Sequence, residues 1–86
     1  MAGADLKRHH ELIMPDLEMP GVTAVASLWL VEEGGAVTEG DRLLEVVAGD
    51  VTVDLPAPAS GKLVELLIGE EEELVAGQVL AIVETE

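Results

Sequence analysis

Apolar residues recur along this chain in short bursts, at positions 12–14, 22–31, 37, 43–47, 51–55, 63–68, 74–75 and 79–83. Gly, Pro and acidic residues separate them. None carries the i, i+3, i+4, i+7 stripe of an amphipathic helix, and most are brief runs of Val, Leu and Ile. Many short strands at close spacing predict an all-β sandwich or barrel. The acidic run at residues 70–73 has helix propensity, but Gly69 and Gly77 bound it closely, so a solvated loop is expected. The opening MAGADLKRHH shows neither period and reads as a mobile tail over residues 1–10, leaving one domain over 11–86.

The clearest local signal is EVVAGDVTVDLPAPASG, residues 45–61. Two alternating runs flank Gly49-Asp50, the signature of a tight β-hairpin, and Pro56-Ala57-Pro58 stiffens the exit. Alternation in the second strand places Val51, Val53 and Leu55 on one face and Thr52 and Asp54 on the other.

Sliding the chain by 37 positions lays Gly40 on Gly77, Leu43 on Leu80, Val46 on Val83, Val37 on Leu74 and Glu33 on Glu70. Both halves then follow the order strand, acidic turn, aliphatic residue, glycine, strand. Each half leaves one apolar face uncovered, and packing the two together buries both. The same symmetry sets the Gly49-Asp50 tip at the opposite end of the molecule from both termini. Period-2 burial selects Val37, Leu44, Val46, Leu55, Leu74 and Leu80 for the core, together with Val22, Leu30, Val53, Leu66, Ile68 and Ile82.

Composition narrows the chemistry. Eighty-six residues make one small domain, and with Trp29 the only aromatic residue the core must be aliphatic. The absence of cysteine removes disulfides, thiolate metal sites and cysteine nucleophiles. A net charge of −14 with four Lys/Arg opposes nucleic-acid binding. The acidity reads either as solubility and repulsion of like copies or as steering toward a basic partner. No run reaches the ~18 apolar residues of a membrane span, and no signal-peptide core is present, so a soluble cytoplasmic protein is expected. Adjacent His9 and His10 point opposite ways on an extended segment, so no metal site is assigned. Ser27 and Ser60 have no base at a recognisable spacing, and no catalytic residue is assigned.

MPDL at residues 14–17, WLVEEG at 29–34, VTEGDRLLEV at 37–46, TVDLPAPASG at 52–61 and GQVLAIVE at 77–84 together resemble the lipoyl domains of 2-oxo acid dehydrogenase complexes and the related biotinyl domains. The resemblance implies a flattened β-barrel, or barrel-sandwich hybrid, of two four-stranded antiparallel sheets with quasi-twofold symmetry. It also implies a working lysine at the hairpin tip, in an Asp-Lys-Ala turn whose amine carries lipoate in amide linkage. Here those positions are Gly49, Asp50 and Val51. A carboxylate cannot form that amide. The remaining lysines are Lys7 in the tail and Lys62 in a strand. Attachment enzymes of this family read the folded tip, and neither lysine offers one.

The expectation is therefore a non-lipoylatable, stand-alone, lipoyl-like domain that binds proteins or acts as a scaffold, with no cofactor and no enzymatic activity. Its partners would be components of 2-oxo acid dehydrogenase complexes or a second copy. The alternative is a swinging-arm carrier of an acyltransferase or carboxylase whose attachment lysine is altered. Loss of all three turn residues together favours divergence over a single engineered change. A start at Met and an end just past the last strand weigh against a fragment of a larger acyltransferase. The apolar or small stretch Val47, Ala48, Gly49, with Asp50, is either drift toward strand propensity or a candidate contact patch.

Overall fold

The computed structural model describes residues 7–86. Eight strands run β1 (Arg8–Ile13), β2 (Ala24–Trp29), β3 (Ala36–Val37), β4 (Arg42–Ala48), β5 (Val51–Pro56), β6 (Gly61–Leu66), β7 (Glu73–Leu74) and β8 (Val79–Thr85). They form two four-stranded sheets, ordered β1-β8-β6-β3 and β5-β4-β2-β7, with every pairing antiparallel. This is the expected flattened all-β barrel. Arg8, His9 and His10, read from the sequence as tail, instead open β1, paired with Thr85, Glu84 and Val83. The long-range ladder to β8 supplies the strand that local pattern did not announce. Residues 1–6 of the expected tail lie outside the described residues.

The 37-residue offset holds to the residue: β2, β3 and β4 map onto β6, β7 and β8 with identical bounds. Backbone hydrogen bonds repeat the symmetry. Gly40 N–H donates to Ala57 and Ala57 N–H to Asp41, at 3.0 and 2.7 Å. Their mates are Gly77 to Met14 and Met14 to Gln78, both 2.8 Å. Even the side chains that close these turns correspond: Asp41 accepts from Thr38 N–H at 2.9 Å and Gln78 accepts from Val75 N–H at 3.0 Å. The acidic turns are not merely solvated. Glu33 accepts from Leu66 N–H and its mate Glu70 from Trp29 N–H, both at 3.0 Å, so each carboxylate satisfies a backbone donor at a strand end.

The core between the sheets is aliphatic, with Leu43, Leu44, Val46, Leu63, Leu80 and Val83 wholly buried. Alanines 24, 26, 48, 57, 59 and 81 are buried with them. Trp29 packs half-buried at the margin and donates its indole N–H to Ile68 O at 3.0 Å. Three expected core residues face outward instead, and β-bulges explain two of them. Register slips leave Ser27 and its mate Val64 unpaired, and likewise Leu43 and its mate Leu80. Each extra residue reverses the phase of alternation beyond it. Leu30 is thus exposed while Trp29 turns inward, and Ile82 faces outward while Ala81 and Val83 are buried. The third, Val22, lies in the β1–β2 connection rather than a strand and is exposed. Val53 and Leu66 pack against the core half-buried.

Two of the mate positions differ instructively. Gly34 has φ of 90°, which glycine adopts freely, and its mate Glu71 is held at 72°, where a Cβ is strained. Glu71→Gly is expected to raise stability by about 0.5–1 kcal/mol, and Gly34→Ala to lower it by about 1 kcal/mol. Urea unfolding of the two variants checks both signs.

β1 is an edge strand, and Glu84 on β8 fastens its start. The Glu84 carboxylate meets His9 Nε2 at 3.1 Å and Lys7 Nζ at 3.5 Å. The His9 hydrogen bond chiefly, with the Lys7 charge, holds the Glu84 carboxyl below its ordinary value against a smaller opposing effect of desolvation. A folded-state pKa below the unfolded one means that this contribution is present at neutral pH and is lost as pH falls through the folded value. A carboxyl NMR titration should place Glu84 below the ordinary glutamate range, and His9→Ala should move its midpoint upward.

Candidate functional site

The hairpin joins β4 to β5 through Gly49 and Asp50, with Ala48 paired to Val51. Gly49 has φ of 59° and Asp50 is not in the positive region, the pattern of a type II′ turn with glycine at its first central position. The expected strand phase holds: Val53 lies opposite Val46 and Leu55 opposite Leu44, facing the core, whereas Thr52 opposes Val47 and Asp54 opposes Glu45 on the outer face. Asp50 projects into solvent, so the tip presents a carboxylate with open access.

The four residues of the candidate contact patch do not share one surface. Ala48 is only 1% exposed and is the last inward-facing residue of β4. Val47 points the other way, half-buried on the outer face of its sheet. Gly49 and Asp50 form the exposed turn, and Val51 is 44% exposed beside them. Alternation separates Val47 from Ala48, as it must within any strand. The patch is therefore a tip plus one outer-face residue.

Beneath the tip lies an open cleft of about 230 Å³, lined by Met14, Leu17, Met19, Val22, Ala48 and Val75 among others. Its wall is the β1–β2 connection, residues 14–23. The symmetric connection between β5 and β6 is only residues 57–60, so the tip end carries six residues that the symmetry does not require. Two observations tie this longer connection to the tip. A Cβ on Gly49 would lie 3.4 Å from Val22 Cγ1, and Ala48 and Val22 share the cleft wall. The connection also holds Glu18 at φ of 56°, with Glu18 N–H donating to Asp16 at 2.8 Å. Sequence reading missed this element because it took Val22 for core. The unequal connection lengths, once the repeat is aligned, are the signal that could have found it.

The two lysines lie elsewhere. Lys62 is exposed in β6 opposite Glu84, and Lys7 sits beside the same glutamate. That end of the barrel is where the described chain begins and finishes: Lys7, Thr85 and Glu86 line one shallow polar pocket there. β1 runs from it to Met14 in the cleft under the tip. The hairpin thus projects from the opposite end, as the repeat requires. His9 and His10 have different neighbours, Glu84 for the first and the Thr85 hydroxyl for the second, each at 3.1 Å.

Residues 10–83 match the biotin/lipoyl family profile, described as biotin-requiring enzyme. The chain belongs to the biotin/lipoyl domain family. Curated relatives agree. It is 34% identical over 82 residues to the dihydrolipoyllysine-residue acetyltransferase component 3 of the mitochondrial pyruvate dehydrogenase complex of Arabidopsis thaliana, covering 94% of this chain and 15% of that protein. It is 31% identical over 74 residues to the corresponding acetyltransferase component of the acetoin cleaving system of Pseudomonas putida, covering 86% and 20%. With the lipoamide acyltransferase component of the branched-chain alpha-keto acid dehydrogenase complex of Bacillus subtilis it shares 30% over 76 residues, covering 88% and 18%. The lipoyl-type chain thus spans only 15–20% of the length of these three relatives.

Proposed function

We propose that this lipoyl-type domain does not carry lipoate or biotin and works by binding other proteins. The observation that carries the reading is Asp50, exposed at the second position of the hairpin turn, where the family resemblance puts the acceptor lysine. Amide formation needs an amine nucleophile. A carboxylate at that place supplies none, and the neighbours Gly49 and Val51 depart from the family turn as well. Lys62 lies in a paired strand, and Lys7 stands at the end of the barrel where the described residues begin and finish. Neither belongs to a two-residue turn.

The family fold, the exposed tip and the longer connection beside it are all present, so a protein that recognises lipoyl domains by surface could engage this one. Components of 2-oxo acid dehydrogenase-type complexes are the partners that the named relatives suggest, and a net charge of −14 favours a basic docking surface on them. No catalytic role is assigned to the domain itself. The rival reading, a swinging-arm carrier, draws on the acyltransferase names of the relatives and requires a lysine outside the tip to be modified.

Intact-mass measurement separates the two. After co-expression with a lipoate ligase and a biotin ligase, the mass is expected to equal that of the bare chain. A stoichiometric adduct on Lys62 or Lys7 would establish the carrier instead.

A further inference from the structure

The quasi-twofold axis provides an internal comparison, because each outer-face position of one sheet has a mate on the other with the same backbone setting. On the β1-β8-β6 face the first row is His9–Glu84–Lys62, an ionic row with the 3.1 Å His9–Glu84 contact. Its mates on the β5-β4-β2 face are Thr52–Val47–Val25. In the next row Glu65 on β6 corresponds to Leu28 on β2, while Ile82 on β8, facing outward between Glu65 and Glu11, corresponds to Glu45 on β4, so in this row the apolar residue changes strand. Where one sheet shows water a glutamate, a lysine and a second glutamate, the other shows Val47, Val25 and Leu28. Leu28 is 45% exposed. The mates of Val47, Val25 and Leu28 hold charged side chains in an equivalent backbone setting.

Acids frame this strip. Glu73 lies opposite Val25, Glu45 opposite Leu28, and Asp54 beyond Glu45. The cation at its margin, Arg42, is engaged by Asp54 at 3.3 Å. A second copy of the chain is a poor occupant for such a surface, since two strips face to face would bring their acids together at a net charge of −14 each. The complementary surface has aliphatic side chains flanked by lysine or arginine.

We propose that the outer face of the β5-β4-β2 sheet, centred on Val25, Leu28 and Val47, is the docking surface of this domain for a basic, aliphatic segment of a partner protein. The inference deepens the protein-binding reading and moves its centre from the tip to the sheet face, with Val47 the link between them. The aliphatic side chains lose water on docking, and the acids at the rim steer and orient the segment.

The test uses the whole chain, isotopically labelled, and two synthetic probes: the amidated heptapeptide Lys-Leu-Lys-Val-Lys-Leu-Lys and its counterpart with glutamate for every lysine. The basic peptide should shift the amide and methyl signals of Val25, Leu28 and Val47 and bind at least about tenfold more tightly than the acidic one. That preference should shrink in high salt, where charges at the rim are screened. The variant Val25→Lys, Leu28→Glu, Val47→Glu installs the residues of the symmetric face. It is expected to keep the circular dichroism spectrum and to lose the binding by about tenfold or more. Shifts confined to Met19, Val22 and Val75 would overturn the sheet-face proposal while leaving protein binding at the tip intact. Absence of binding by the basic peptide, or equal binding of both, overturns it as well. A lipoyl adduct in the mass measurement would instead remove the underlying reading, so the two failures are distinguishable.

Discussion

Everything in this domain depends on two aliphatic sheet faces covering each other, with the one aromatic residue, Trp29, only at the margin. Wholly buried Leu43, Val46, Leu80 and Val83 come in two mate pairs, one from each half, and no half could bury its own set alone. The halves do not fill the interior equally. Leu63 corresponds to Ala26, Leu44 to Ala81 and Met14 to Ala57, and all six residues are buried. Large side chains from one half are thus matched in sequence by small ones from the other, which suits close packing of two nearby sheets. The inward faces of β2, β4 and β7 run out at Ala24, Ala48 and Leu74, where the backbone turns and the Gly49-Asp50 tip projects.

Within so regular a frame, departures from symmetry set the two ends and the two outer faces apart. One end of the barrel has a two-residue turn, a connection six residues longer than its mate, and an open cleft between them. The other end holds the start and finish of the described residues and the ionic group around Glu84. One outer face carries the ionic row His9–Glu84–Lys62 where the other carries Thr52, Val47 and Val25. Both contrasts fall on the tip side and on the sheet that bears the tip. The backbone is shared between the halves, so these differences arise from side-chain chemistry and connection length, which folding leaves free to vary.

The repeat made most of this fold legible, because hydrophobic period, turn glycines and chain order all agreed on it. The hairpin phase followed from alternation, and the Glu33–Glu70 correspondence was visible although its use as a backbone acceptor was not. Bulges defeated the pattern where it failed. Ser27 and Val64 are ordinary residues in their strands, and nothing in their identity announces an extra position, yet the slip at Ser27 reverses which of Leu28, Trp29 and Leu30 meets water, and that at Val64 does the same for Glu65, Leu66 and Leu67. Buried alanines escaped for another reason, since a small residue is permitted everywhere and its burial depends on how near the facing sheet lies. His9 and His10 joined β1 through pairing with residues 83 and 84, a contact far along the chain. At the site, position and turn type were legible, but the division of Val47 from Ala48 needed the strand's facing to be known.

The central claim is that the scaffold and its tip are those of a lipoyl domain and that only the chemistry of the turn is missing. Restoring that chemistry tests it most directly. Gly49→Asp, Asp50→Lys and Val51→Ala together rebuild the family turn; aspartate at the first position tolerates a positive φ better than most residues. The three-residue variant, co-expressed with a lipoate ligase, should keep the circular dichroism spectrum and gain one lipoyl adduct at position 50, in higher yield than Asp50→Lys alone. A variant that keeps the spectrum yet accepts no lipoate, or accepts it only elsewhere, would contradict the claim and remove Asp50 from the attachment position.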